Sequence, residues 1–246
     1  MKLNLFIIAL LFLALSSCDG QNPVKQSKAS MEKDMQTSIT KKMRTQEIRL
    51  KKGELFLAVV GYQMAGKEDL LKEYFGIVFP PAQKQGFTPL GQLPIDEVSS
   101  GDFNPNEFVG LFKWPGMPSV QAFLKDVSPE RLNKLRVKIW SELKQHMVVV
   151  PKDLQMTFKE NKVYEVKMLW ADKMLDIQSI NKQGGAIVLN QPIAGYEDLG
   201  KHKAPNHLLI IEWDNKESAK QFNQMNPLKL KKEESFYTHF AFPQKK

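Results

Sequence analysis

The residues able to do acid–base or ligand chemistry are few and scattered. The histidines are His146, His202, His207 and His239, and there is one cysteine, Cys18. An imidazole titrates near neutrality and can act as a general base or as a haem or metal ligand. No two of the four stand at the i, i+4 spacing of a helical metal site, and one cysteine rules out a multi-cysteine site, so no metal is expected. His202 and His207 flank Pro205 in a stretch read as a loop entering a strand, and are read as surface groups. His146 and His239 fall near the start of two strand-like runs, where alternation could turn either toward a space between sheets. Asn206, Trp213 and His207 are residue types suited to a haem pocket. Asn206 and His207 are adjacent, however, and on a regular strand they face opposite sides, so no cofactor is expected.

Trp114, Trp170 and Trp213 each end an apolar run, and Tyr62 ends an earlier one. Aromatic side chains at strand ends plug cores or line apolar pockets. The candidate pocket lining is therefore Tyr62, Trp114, His146, Trp170, Trp213 and His239, with no catalytic role assigned. Lys113 and Glu212, beside two of the tryptophans, read as solvated strand-end charges. Gly184-Gly185 is a lone pair and makes no phosphate cradle, and there is no Gly-x-Ser-x-Gly elbow.

The elements that would position these residues come in two sets. Phe108 to Trp114, followed by Ser119 and Phe123, is matched 99 residues later by His207 to Trp213, Ser218 and Phe222. In each copy an apolar strand ends in Trp and a helix begins near Ser, a favoured residue at a helix start. Leu55 to Tyr62 reads as a buried strand. Val163 to Trp170 reads as a half-buried one, with polar Glu165 and Lys167 alternating. Helical patterns follow over Lys67 to Gln85 and Asp172 to Lys182. The first should kink or break at Pro80-Pro81, and each stops at glycine, Gly86 or Gly184-Gly185. Ile193 to Ala204 reads as a loop. His146 to Val150 and Phe236 to Phe242 read as closing strands. The order strand, helix, strand, strand, helix, strand is the ferredoxin-like plan. The expected fold is α+β: two tandem ferredoxin-like βαββαβ units over 53–158 and 159–246, each a four-stranded sheet, packed sheet to sheet.

With 246 residues, 42% hydrophobic, 25% charged, 14 Gly and 14 Pro, composition excludes a collagen-like, a wholly disordered or a polytopic membrane chain. Residues 1–17 have the layout of a secretory signal: Lys2, an apolar run from Leu5 to Leu15, then small residues. Leu15-Ser16-Ser17-Cys18 resembles a bacterial lipoprotein box, which implies lipidation of Cys18 and a membrane-lipid partner, in an envelope membrane that the residues leave undecided. Residues 18–52 read as the lipidated cysteine and a basic tether, with a frayed helix over Met31 to Arg49. Nine basic and four acidic groups give residues 19–52 a net charge of +5, out of +8 for the chain. Residues 53–246 carry 25 basic and 23 acidic groups, too even a balance for nucleic-acid binding. The tether charge suits anionic lipid, and equally a soluble spacer.

The opening strand, Tyr74, Gly86 and the strand-plus-helix from Phe108 to Phe123 resemble the dimeric α/β-barrel superfamily, and within it the DUF1330-like family of unknown function. The superfamily holds small monooxygenases, haem-degrading oxygenases, lactone isomerases and dye-decolourising peroxidases, so fold alone picks no activity. Two readings of function follow. One is a membrane-anchored, non-catalytic binding or accessory protein that takes a small apolar ligand or a protein partner at the membrane. The other is a cofactor-independent monooxygenase or isomerase acting on a small aromatic or lactone between the sheets.

Overall fold

The computed structural model describes residues 43–105, 107–171, 177–199, 202–225 and 232–242. The signal segment, Cys18, the tether up to residue 42 and the helix start at Asp172 lie outside the described residues. In chain order the elements are β1 (Thr45–Leu50), β2 (Leu55–Gln63), α1 (Glu68–Lys84), β3 (Thr88–Pro94), β4 (Glu97–Ser100), β5 (Phe108–Trp114), α2 (Met117–Asp126), α3 (Pro129–Ile139) and β6 (Trp140–Val149). There follow β7 (Leu154–Lys159), β8 (Val163–Trp170), α4 (Ile177–Lys182), β9 (Ala186–Pro192), β10 (Gly195–Asp198), β11 (His207–Trp213), α5 (Lys216–Met225) and β12 (Lys232–Thr238).

The strands form two five-stranded antiparallel sheets, ordered β10-β6-β2-β5-β3 and β4-β12-β8-β11-β9, and a ribbon of β1 with β7. Without its first strand, each large sheet has the ferredoxin-like order 4-1-3-2. The fold is α+β, two ferredoxin-like units packed sheet to sheet.

The sheets are five-stranded rather than four-stranded because each borrows a strand. β4 precedes β5 in the chain but pairs with β12, and β10 precedes β11 but pairs with β6. The stretch from Ile193 to Ala204, read as loop, supplies β10. Residues 45–50, read as the end of the tether, form β1: Ile48 and Leu50 alternate with Glu47 and Arg49 and turn their apolar side chains into the core.

Strand alternation builds the layers. Phe56, Ala58 and Val60 of β2 and Tyr164, Val166 and Met168 of β8 meet in one apolar cluster between the sheets. The other face of β2 carries Leu55 and Leu57, which pack under α1, α2 and α3 with Tyr74, Phe123 and Leu132. The second sheet's outer face packs Leu209, Ile211 and Trp213 against Ile180, Ala219 and Phe222.

Helix α1 runs through Pro80 and Pro81 instead of breaking there. Both prolines lie in its C-terminal half, Phe79 stacks on Phe75, and Tyr74 and Phe75 stand edge-on to Trp140, so tertiary packing outweighs the local cost. Gly86 follows the helix end at φ +85°, and a side chain there would run into Pro115. The sequence reading missed α3, although Ser128-Pro129-Glu130 announces it: Ser128 Oγ accepts the Arg131 N–H at 3.3 Å.

Candidate functional site

The six candidate lining residues do not share one space. Tyr62, His146 and Trp170 belong to the inter-sheet side, whereas Trp114 and Trp213 lie on the opposite faces among the helices. Trp114 packs on Phe87 and Phe123, with ring centroids 4.9 and 5.3 Å away. Trp213 packs on Phe222 at 5.3 Å. Strand parity explains the split: Tyr62 is seven residues after Leu55 and faces the other way. His239 lies one residue past β12, 54% exposed at its side chain, with Nδ1 2.7 Å from Asp96 Oδ2. It fastens the turn between β3 and β4.

What does assemble between the sheets is a polar end to an otherwise apolar layer. The inward positions of β6 are Glu142, Lys144 and His146, and across the exchanged strand Tyr196 pairs with His146 and Asp198 with Lys144. From the second sheet β12 brings Glu234 and Lys232. Lys144 Nζ lies 3.2 Å from Glu142 Oε2 and 3.8 Å from Glu234 Oε2, so it bridges the two sheets. Lys232 Nζ lies 2.6 Å from Glu234 Oε1. Glu142 Oε2 accepts no hydrogen bond among the described residues and is held by charge alone.

His146 is 2% exposed. Its Nδ1 is 3.1 Å from the Ala58 carbonyl, which can only accept, so Nδ1 carries the proton and Nε2 is the basic nitrogen. Burial lowers its pKa to about 4; Lys144 pushes the same way, and the Ala58 carbonyl, Glu234 and Asp198 push back. The ring is a neutral imidazole at pH 7. Tyr62 donates to the Asp102 carbonyl at 3.4 Å and accepts the Asn104 N–H at 3.1 Å. Burial raises its phenol to about 12. Burial also raises the pKa of Tyr196.

Beside this end is a depression of about 180 Å³ lined by Trp170, His202, Lys203 and Lys232. The Trp170 Nε1–H donates to the Lys203 carbonyl at 3.0 Å. The Lys232 ammonium sits 4.6 Å from the Trp170 ring centroid, a cation–π distance. His202 is turned to Asp198, whose Oδ2 is 2.7 Å from Nδ1 and accepts the His202 backbone N–H at 2.8 Å.

His207 is half-buried rather than a surface group, with Nε2 2.6 Å from Asn190 Oδ1, and burial lowers its pKa. Asn206 bonds instead to the Ala171 backbone at both its N–H and its carbonyl, so His207 and Asn206 face different partners. Glu212 is buried rather than solvated, 2.7 Å from Lys159 Nζ, and Lys113 pairs with Glu54 at 2.9 Å.

Sequence reasoning also took Glu165 and Lys167 for the solvent face of a half-buried strand. Both are fully buried, at 0 and 1% exposure. Lys167 Nζ lies 2.7 Å from Glu165 Oε1 and 2.7 Å from Glu233 Oε1, and donates to Asn223 Oδ1 at 3.2 Å. Trp213 Nε1–H and the Asn223 amide donate to Glu165 at 3.2 and 2.6 Å. A polar residue every second position marks a strand face, but whether that face meets water or a partner of opposite charge is decided by residues about 56 to 66 positions away.

Among the described residues no three His, Cys, Asp or Glu side chains converge as metal ligands, and no helix is long and apolar enough to cross a membrane. No family model and no curated protein sequence matches the chain. Among solved structures it is similar to an anthrone oxidase-like protein, at 9% identity and TM-score 0.44, covering 80% of this chain and 94% of that one. It is also similar to a putative monooxygenase from Lactobacillus acidophilus, at 11% identity and TM-score 0.34, covering 77% and 94%. A putative monooxygenase from Fusobacterium nucleatum matches at 10% identity and TM-score 0.38, covering 78% and 94%. At such identities a likeness concerns chain path, and activity does not follow from it.

Proposed function

We propose that this protein is a lipid-anchored protein of the bacterial cell envelope that binds or assists rather than catalyses. The observation that carries the second half of this reading is the filled inter-sheet layer. Phe56, Val60, Val148, Val166, Ile210 and Phe236 pack in one apolar cluster between the sheets. The titratable groups at its polar end are spent on one another: Lys144 on Glu142 and Glu234, Lys232 on Glu234, His202 on Asp198. The depression at Trp170 is smaller than the roughly 300–1,000 Å³ of ordinary small-molecule sites, and it suits capture of a small ligand. Anchoring rests on the Leu15-Ser16-Ser17-Cys18 box, with the basic tether drawn to anionic lipid or serving as a soluble spacer.

The test is oxygen uptake by the full chain with hydroxyaromatic substrates, run beside fatty-acid labelling of the wild type and Cys18→Ser. No uptake, together with label lost in the variant, is expected. Unchanged labelling would remove the anchor, and uptake would remove the non-catalytic role. The second reading, a cofactor-independent monooxygenase or isomerase, draws on the neutral imidazole of His146 with its basic Nε2 in a buried setting, and it requires that any uptake disappear in His146→Phe.

A further inference from the structure

Strand exchange twice sends the chain into the opposite sheet and back, and the return crossovers run from β4 to β5 and from β10 to β11. The two crossovers face equivalent aromatic residues, since the ladders place Tyr62 in the first sheet where Trp170 stands in the second. Each aromatic is tied to its crossover by a backbone hydrogen bond, Tyr62 to Asp102 and Asn104, Trp170 to Lys203. There the likeness stops. At the first crossover Phe103 is buried and stands edge-on to Phe236 at 4.8 Å. At the second crossover His202 is bonded to Asp198, and the two leave a depression over Trp170 that His202 helps to line.

Three features give this opening a chemical character. Trp170 supplies a flat aromatic wall. Lys232 is held in place by Glu234 at 2.6 Å and by the indole ring, so its ammonium is fixed before any ligand arrives. Lys203 lines the same space and is paired with no carboxylate among the described residues. The carboxylates near the rim are already engaged, Glu234 with Lys232 and Asp198 with His202. Among the described residues that line it, Lys203 is the cation left without a carboxylate. A volume of about 180 Å³ corresponds to about six waters of liquid, room for one ring bearing a small charged group.

We propose that the depression over Trp170 is a binding site for a small flat monocarboxylate, its ring against Trp170 and its carboxylate on Lys203 with help from Lys232. This rests on the reading of the protein as a binder and names the ligand class that reading leaves open.

The test uses the full chain and benzoate as probe, with benzamide (no charge) and cyclohexanecarboxylate (no flat ring) beside it. Binding is read at the Trp170 indole N–H by nitrogen–proton correlation NMR, the signal being identified by its loss in Trp170→Phe. Benzoate is expected to move that signal saturably. Benzamide and the variant Lys203→Ala should each bind about tenfold more weakly, the loss of one charge-assisted contact. Lys203→Arg should retain binding, and cyclohexanecarboxylate should bind more weakly than benzoate. No shift with benzoate, or equal affinity in Lys203→Ala with its other signals unchanged, overturns the proposal while leaving a binding role for the protein. Consumption of oxygen with a hydroxyaromatic overturns the binding reading itself and the proposal with it.

Discussion

The helix-facing sides of the two sheets solve the same packing problem with opposite chemistry. The ladders make Leu57 equivalent to Glu165, Val59 to Lys167, Leu143 to Glu233 and Met147 to Tyr237. On the first sheet these positions are apolar and pack under the 17-residue α1 with its row of aromatic rings. On the second they carry a buried ion cluster, closed by Asn223 of α5 and the indole of Trp213. The apolar side gains from every side chain it removes from water, so single changes there are graded. The charged side gains only if its members are all present, because each ion has lost its hydration and is repaid solely by the others. Identical strand topology therefore constrains which positions are buried and leaves open what fills them.

The strongest way to break this comparison is Lys167→Met. It leaves Glu165 buried and Glu233 half-buried without their cation, and should cost about 3–5 kcal/mol in urea unfolding, as removal of one member of a buried ion set does. Restoring the first sheet's solution with Glu165→Leu, Lys167→Val and Glu233→Leu together should recover most of that loss. A triple variant as unstable as Lys167→Met would mean that the cluster does more than fill space.

A second comparison concerns the inter-sheet faces, where His146 occupies the place that Phe236 holds in the other sheet. An unfolded histidine titrates near 6.5, and the folded one near 4, so the folded state binds fewer protons between these values. The stability from the buried neutral ring is complete above about pH 6.5. It drains away as pH falls toward 4, by about 3 kcal/mol at about 1.4 kcal/mol per pKa unit. His146→Phe should flatten this acid limb of the stability curve, and an unchanged limb would assign it to other groups.

The smallest effect is expected at the latches of the exchanged strands. Glu97 of β4 is clasped by Lys216 at 2.5 Å and Lys220 at 2.7 Å, while Glu197 of β10 is clasped by Arg136 at 2.7 Å and by Gln145 at 2.6 Å. Both latches lie toward solvent, so Glu97→Gln and Glu197→Gln should each cost about 0.2–1 kcal/mol, less at high salt.

Much of this fold could be read in the sequence because it is written locally. The apolar run of β2, the Trp-ended strands β5 and β11, and helix α1 stopping at Gly86 all declare themselves within a dozen residues. What could not be read is the choice of partner. Glu97–Ser100 and Gly195–Asp198 are too short and polar to stand out, and they become strands because β12 and β6 offer them free edges. The site suffered more than the fold. Tyr62, Trp114, Trp170 and Trp213 share the property of ending strands, but which face each side chain takes depends on register, and one residue of parity sends Trp114 and Trp213 to the helices. Lys203 and Lys232 gave no signal, since two lysines 29 positions apart meet only through the crossover.

The strand exchange makes the two halves of the chain mutually dependent. A break in the exposed turn between β6 and β7 would leave β1 and β4 on one fragment, and their partners β7 and β12 on the other, along with β10, whose partner β6 stays behind. Neither fragment could complete its own sheets, and each would present bare strand edges to solution. Produced together, the fragments should reassemble as a one-to-one complex. Produced alone, each should pair with copies of itself. The protein is in this sense a heterodimer whose subunits happen to be joined by a peptide bond, each free to fill its helix-facing layer with its own chemistry.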